Sequence, residues 1–142
     1  MKLATAYQRN DRIFLHALSK TTDGVWILSQ PVFMVDDINI DKVGELLLEV
    51  LESSSENVPH PKSWANLFDP ILRLAKLKSW GTFVKSAKCV EVEFDGQQVD
   101  FIPTKNMGEF EGFNPIKEKK IRCSLNNLEL QSALIGSFKS ME

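Results

Sequence analysis

The chain has 142 residues, of which 43% are hydrophobic and 25% charged, and its formal net charge is −2. That length and apolar fraction suit one domain spanning residues 1–142 with a core that needs no disulfide or metal staple, and they exclude disordered, collagenous and rod-like chains. A pI near 5.7 removes the usual signature of a general DNA or anionic-membrane binder.

Residues 2–8 read as a strand. Residues 12–19 and 25–29 form a β-hairpin about Thr21-Thr22-Asp23-Gly24, whose Asp-Gly pair favours a tight reversal. Pro31 punctuates the chain, and residues 32–35 read as a third, separate strand with the proline at its edge or start, where a missing N–H does least harm. Asp41 is expected to cap a helix in which Val43, Leu46, Leu47, Val50 and Leu51 follow the spacing of one buried face. Glu45, Glu49 and Glu52 fall off that stripe and make the outer surface acidic. Residues 53–62, with three serines and two prolines, read as a loop.

Residues 63–68 give one helical turn, Asp69-Pro70 opens a helix to about Leu77, and residues 79–86 form a short helical piece with Trp80 and Phe83 on one side. Residues 89–94 alternate Val90, Val92 and Phe94 with Glu91 and Glu93, and Asp95-Gly96 turns the chain into Val99, Phe101 and Ile102. The alternation makes Glu91, Glu93 and Asp95 the solvated face of an amphipathic strand. They are also the one carboxylate cluster suited to Mg²⁺ or acid-base work. Residues 107–120 read as a long exposed loop and residues 121–125 as a returning strand. Asn126 with Glu129 resembles a capping box, opening a closing helix through Leu130, Ala133, Leu134 and Phe138. Strands joined by hairpins, with a helix after the strands in each half, predict an α+β fold on a largely antiparallel sheet.

His16, His60, Cys89 and Cys123 lack the spacing of structural zinc sites, and neither a phosphate-binding glycine loop nor a nucleophile signature is present. No metal, cofactor or catalytic residue is therefore expected. Two cysteines in strand-like runs point to buried, reduced thiols. The chain shows no export signal and no run of ~20 apolar residues, which predicts a cytoplasmic protein without a membrane partner. The net charge hides opposed blocks. Seven acids face one lysine in residues 36–56 and six face one in residues 91–111, whereas six bases face one acid in residues 62–88 and four face one in residues 116–123. Such blocks either pair within the fold or form patches for a charged partner. Arg73, Lys76, Lys78, Lys85 and Lys88 interleave with Trp80 and Phe83, a pattern also used to stack bases and hold phosphates.

Ser79-Trp80-Gly81-Thr82-Phe83-Val84-Lys85, Ala87-Lys88-Cys89-Val90, and Pro103-Thr104-Lys105-Asn106 leading through Gly108 to Gly112-Phe113 resemble the immunity proteins of bacterial contact-dependent growth inhibition systems. The likeness spans most of the chain. It implies a non-enzymatic cytoplasmic inhibitor that binds the C-terminal toxin domain delivered by a neighbouring cell. Some relatives neutralise ribonucleases and have a fold similar to that of single-strand-binding Whirly proteins. The lysine-rich Whirly signature is not matched at Lys85-Ser86-Ala87-Lys88, which argues against nucleic acid as the partner. An inhibitor of a nuclease covers a basic cleft with carboxylates. The candidates are Asp36, Asp37 and Asp41 at the strand-to-helix junction and Glu109 and Glu111 in the glycine-containing loop, with Phe110 and Phe113 as apolar anchors.

Overall fold

Alternating apolar residues on Lys2–Arg9 (β1) and Arg12–Thr21 (β2) make a hairpin around Asn10, whose φ of 56° suits a tight turn between twisted strands. These strands lie inside an eight-stranded sheet in a computed structural model that describes residues 1–141, apart from the side chain of Asp37. Trp26–Asp36 (β3) forms one edge, Ala87–Phe94 (β5) pairs with β1, and Gln98–Asn106 (β6) pairs with β5. Phe113–Pro115 (β7) and Ile121–Ser124 (β8) share the far side of β6, and Glu56–Val58 (β4) pairs in parallel with the end of β2. The main path runs β3-β2-β1-β5-β6-β7, with every neighbour antiparallel. This is the α+β arrangement expected from the hairpin signals.

Both sheet faces carry helices. On one face, Val43–Ser53 (α1) and Asn127–Lys139 (α4) bury Val43, Leu47, Leu130 and Leu134 against Ala4, Ala6, Leu15, Val92 and Phe101. Alanines on the central strand leave room for the large side chains above them. On the other face, Asp69–Ala75 (α2) and Trp80–Val84 (α3) set Ile71, Leu72 and Phe83 over Tyr7, Phe14 and Cys89. No helix among the described residues is long and apolar enough to cross a membrane.

Several expectations need correction. Residues 26–36 are one strand, not two. Pro31 is accommodated because β3 is an edge strand and the ladder skips from His16–Val32 to Ala17–Ser29, so Gln30 and Pro31 bulge out of register. The supposed loops contain β4 and β7, each three residues long and too short to show a period. Asp41 does not cap α1. A 3-10 turn over Asp37–Lys42 precedes the helix, Lys42 takes the cap position without a side-chain bond, and Asp36 caps the turn by accepting from the Asn39 N–H at 3.3 Å. Phe68, not Asp69, precedes the first residue of α2, and the left-handed Lys76 (φ 59°) ends that helix short of Leu77. Asn126 caps α4 by accepting from the N–H groups of Leu128 and Glu129, whereas the Glu129 carboxylate reaches the Ser124 N–H, at 3.4 Å, not that of Asn126.

Candidate protein-binding site

The motif residues 103–106 work as a clamp for the loop between β6 and β7. The Thr104 hydroxyl donates to the Cys89 carbonyl at 2.6 Å, and the Asn106 amide donates to the Val84 and Ala87 carbonyls at 2.7 and 3.0 Å. Asn106 Oδ1 accepts from the Gly108 N–H, and the Gly112 N–H donates to the Gly108 carbonyl at 2.9 Å. Gly108 (φ 96°) and Gly112 (φ 73°) supply backbone that other residues rarely adopt. The clamp presents Glu109, Phe110 and Glu111 to solvent, with Phe110 96% exposed. Glu109 lies over α3, where its carboxylate occupies the space a side chain at Gly81 would take. Phe113 differs from Phe110: it is half-buried, its ring 5.8 Å from that of Tyr7.

The other acidic group stands at the opposite edge. Asp36 pairs with Arg12 at the end of β3, and the following turn carries exposed Asp41; the side chain of Asp37 lies outside the described residues. Between them projects Ile38, 88% exposed. Sequence reading missed it because an isolated isoleucine in a one-turn element has no periodic signal. Each group is thus an exposed apolar side chain flanked by acids, and both stand at the sheet end that holds Arg9 and Arg12. The strand order separates them by five strand spacings, roughly 24 Å, so the structure does not gather the seven candidates into one cluster.

Glu91 and Glu93 are not on a simple solvated face. With Thr5, Tyr7, Trp26 and Phe113 they line a groove of about 330 Å³ on the part of the sheet left open beside α3. Thr5 and Glu91 are direct cross-strand partners. Burial, and secondarily the neighbouring Glu93, raise the Glu91 pKa, while Lys117 opposes them. Asp95 is separate: it sits on the turn and accepts from the Gln97 and Gln98 N–H groups at 2.8 Å. Among the described residues no three His, Cys, Asp or Glu side chains converge as a metal site. Cys89 is buried, which pushes its thiol pKa well up, and Cys123 is half-buried. Trp80 is stacked on Phe68 at 3.9 Å and on Phe83 at 5.0 Å, and Phe83 is fully buried. Phe83 is therefore committed to the core, and half-buried Trp80 is held between it and Phe68.

No family profile matches the chain, and no curated protein matches its sequence. Solved structures do match in fold. A protein of unknown function from Neisseria meningitidis superposes with a TM-score of 0.79 at 13% identity, covering 99% of this chain and 95% of the other. A chain of the CdiA-CT/CdiI toxin and immunity complex from Yersinia pseudotuberculosis superposes with a TM-score of 0.78 at 12% identity, covering 99% and 97%.

Proposed function

We propose that this chain is a contact-dependent growth inhibition immunity protein: one domain, residues 1–142, that binds and neutralises a C-terminal toxin domain in the cytoplasm of the cell that makes it. The observation that carries this reading is the near-complete correspondence in fold with a chain of a toxin and immunity complex. The resemblance over residues 79–113 supports it independently, because those residues build the clamp that displays Glu109, Phe110 and Glu111. The arrangement of strands followed by a helix in each half is of the Whirly type in this reading.

The toxin is a nuclease, in the ribonuclease class, and inhibition is steric and electrostatic. A phosphate-binding cleft is basic, so carboxylates around an apolar anchor both steer the approach and fill the cleft. The two protrusions, Ile38 with Asp36, Asp37 and Asp41, and Phe110 with Glu109 and Glu111, are the surfaces proposed to meet it. The protein contributes binding and no reaction of its own. A single-strand nucleic-acid role is not favoured, since Trp80 and Phe83 are engaged with each other and with Phe68.

Co-expression with a candidate C-terminal toxin domain, taken from the reading frame upstream of this gene, tests the reading. Wild-type protein restores growth, and a variant with Glu109→Lys and Glu111→Lys binds the toxin at least about tenfold more weakly with an unchanged melting temperature, as expected for exposed loop charges. Full protection and unchanged affinity in that variant would remove this loop from the interface.

A further inference from the structure

The groove beside α3 has a composition that the toxin-binding reading does not require. Two of its polar groups are hydroxyls with no hydrogen bond to the rest of the described chain. Tyr7 is only 5% exposed and Thr5 6%, yet neither hydroxyl has a hydrogen bond to another described residue. Lys117 is the cation whose charge favours ionised Glu91, and it does so against the stronger effects of burial and of Glu93. Elsewhere on the same face Asp100, the cross-strand partner of Glu93, holds Arg122 at 2.8 Å and Lys120 at 3.8 Å. Neither the Thr5 nor the Tyr7 hydroxyl is sealed from solvent, unlike Arg9 Nε and His16 Nε2, so both oxygens open onto the groove, where an incoming group can reach them. Trp26 and Phe113 stand in the walls of the same groove, and Tyr7 lies in a tilted contact with Phe113.

Aromatic walls, convergent oxygen acceptors and two carboxylates define the chemistry of the missing group. It is cationic, planar and rich in donors. A guanidinium meets all three conditions: it stacks on aromatic faces, carries five donors, and forms paired bonds to a carboxylate, whereas an ammonium offers only a point charge. The volume of about 330 Å³ suits one long side chain in place of a larger ligand. We propose that this groove is an arginine-binding pocket, in which Glu91 takes the guanidinium, the Thr5 and Tyr7 oxygens accept its remaining donors, Phe113 stacks on it beside Tyr7, and Trp26 forms the far wall along the aliphatic stem. Resting on the immunity reading, the arginine belongs to the toxin domain. Nucleases that bind phosphate expose such residues, and seating one here withdraws it from substrate. Only Gly112 separates Phe113 from Glu109–Phe110–Glu111, so the pocket and the loop adjoin.

Amide NMR titration of the free protein with the tripeptide acetyl-Gly-Arg-Gly-amide tests the pocket alone. Saturable shifts at Thr5, Tyr7 and Glu91, with a Kd on the order of millimolar for so small a probe, are expected. They should be absent with acetyl-Gly-Gln-Gly-amide and in Glu91→Gln, and weakened about threefold in Thr5→Val. The rest of the variant spectra serve as the check on folding. No saturable shift in wild type, or shifts that persist in Glu91→Gln, would overturn the pocket. With the toxin domain, Glu91→Gln should weaken binding about tenfold. A toxin that binds wild type and Glu91→Gln equally overturns the pocket and leaves the immunity reading standing. A toxin that binds neither overturns the immunity reading, while the peptide titration still decides the pocket.

Discussion

His16 links one buried ring to the pH response of the protein. It is 1% exposed, its Nδ1 donates to the Ala17 carbonyl at 2.8 Å, and its Nε2 has no partner. Burial is the main influence and lowers its pKa from 6.5 to about 4, against the smaller pull of the Ala17 carbonyl. The unfolded chain accepts a proton below pH 6.5 and the folded chain does not until about pH 4. The stability this difference represents is whole above pH 6.5 and is lost as pH falls toward 4, amounting to roughly 3 kcal/mol over the full interval. Urea midpoints measured at pH 7 and pH 4.5 should show that fall in wild type and a much flatter response in His16→Leu; parallel slopes would contradict it. Glu91 works in the opposite sense. Its raised pKa means that its ionisation costs stability above the ordinary carboxylate range, so Glu91→Gln should melt no lower than wild type at pH 7. The sequence placed both residues on strands without telling which face is covered. Alternation is symmetric between faces, and only the positions of α2 and α3 decide that His16 is sealed and Glu91 half open.

Two glycines set how neighbouring elements meet. A Cβ at Gly44 would collide with the Asn127 backbone carbonyl, so α1 and α4 cross at a distance that only glycine permits. Gly44→Ala should destabilise by about 2 kcal/mol, because backbone cannot step aside as a side chain can, and chemical denaturation reads that directly. At Gly81 the obstructing group is the flexible end of Glu109. Gly81→Ala should therefore hold or raise the melting temperature, given alanine's better helix propensity, while displacing Glu109 and lowering toxin affinity severalfold. A melting temperature several degrees lower would show that the loop over α3 is structural and not a display. At this scale legibility followed the length of the pattern. The β5-β6 hairpin could be read from Val90, Val92 and Phe94 with Asp95-Gly96, and α1 from its five-residue stripe. Pro31 makes β3 read as two strands, because a proline normally ends a strand and its edge position is not visible in one dimension. The 3-10 turn that displaced Asp41 from the cap leaves no periodic trace either.

Across the whole molecule, a net charge of −2 conceals an uneven surface. Acidic protrusions tipped by Ile38 and Phe110 stand at opposite edges of one sheet end, and Arg9 and Arg12 lie between them. Such alternating signs favour a specific partner over a uniformly basic polymer. The candidate acids were legible from charge blocks and loop composition, but their separation was not, because strand order is fixed by long-range pairing. The groove containing Glu91 is concealed for the same reason: its walls come from five strands. The central claim is that this chain binds a toxin domain, and isothermal titration calorimetry with a candidate C-terminal toxin domain, taken from the reading frame upstream of this gene, tests it most directly. The account predicts a 1:1 complex with a Kd of roughly nanomolar order, weakening as salt is raised. Absence of binding at low salt, with both proteins folded, would contradict it.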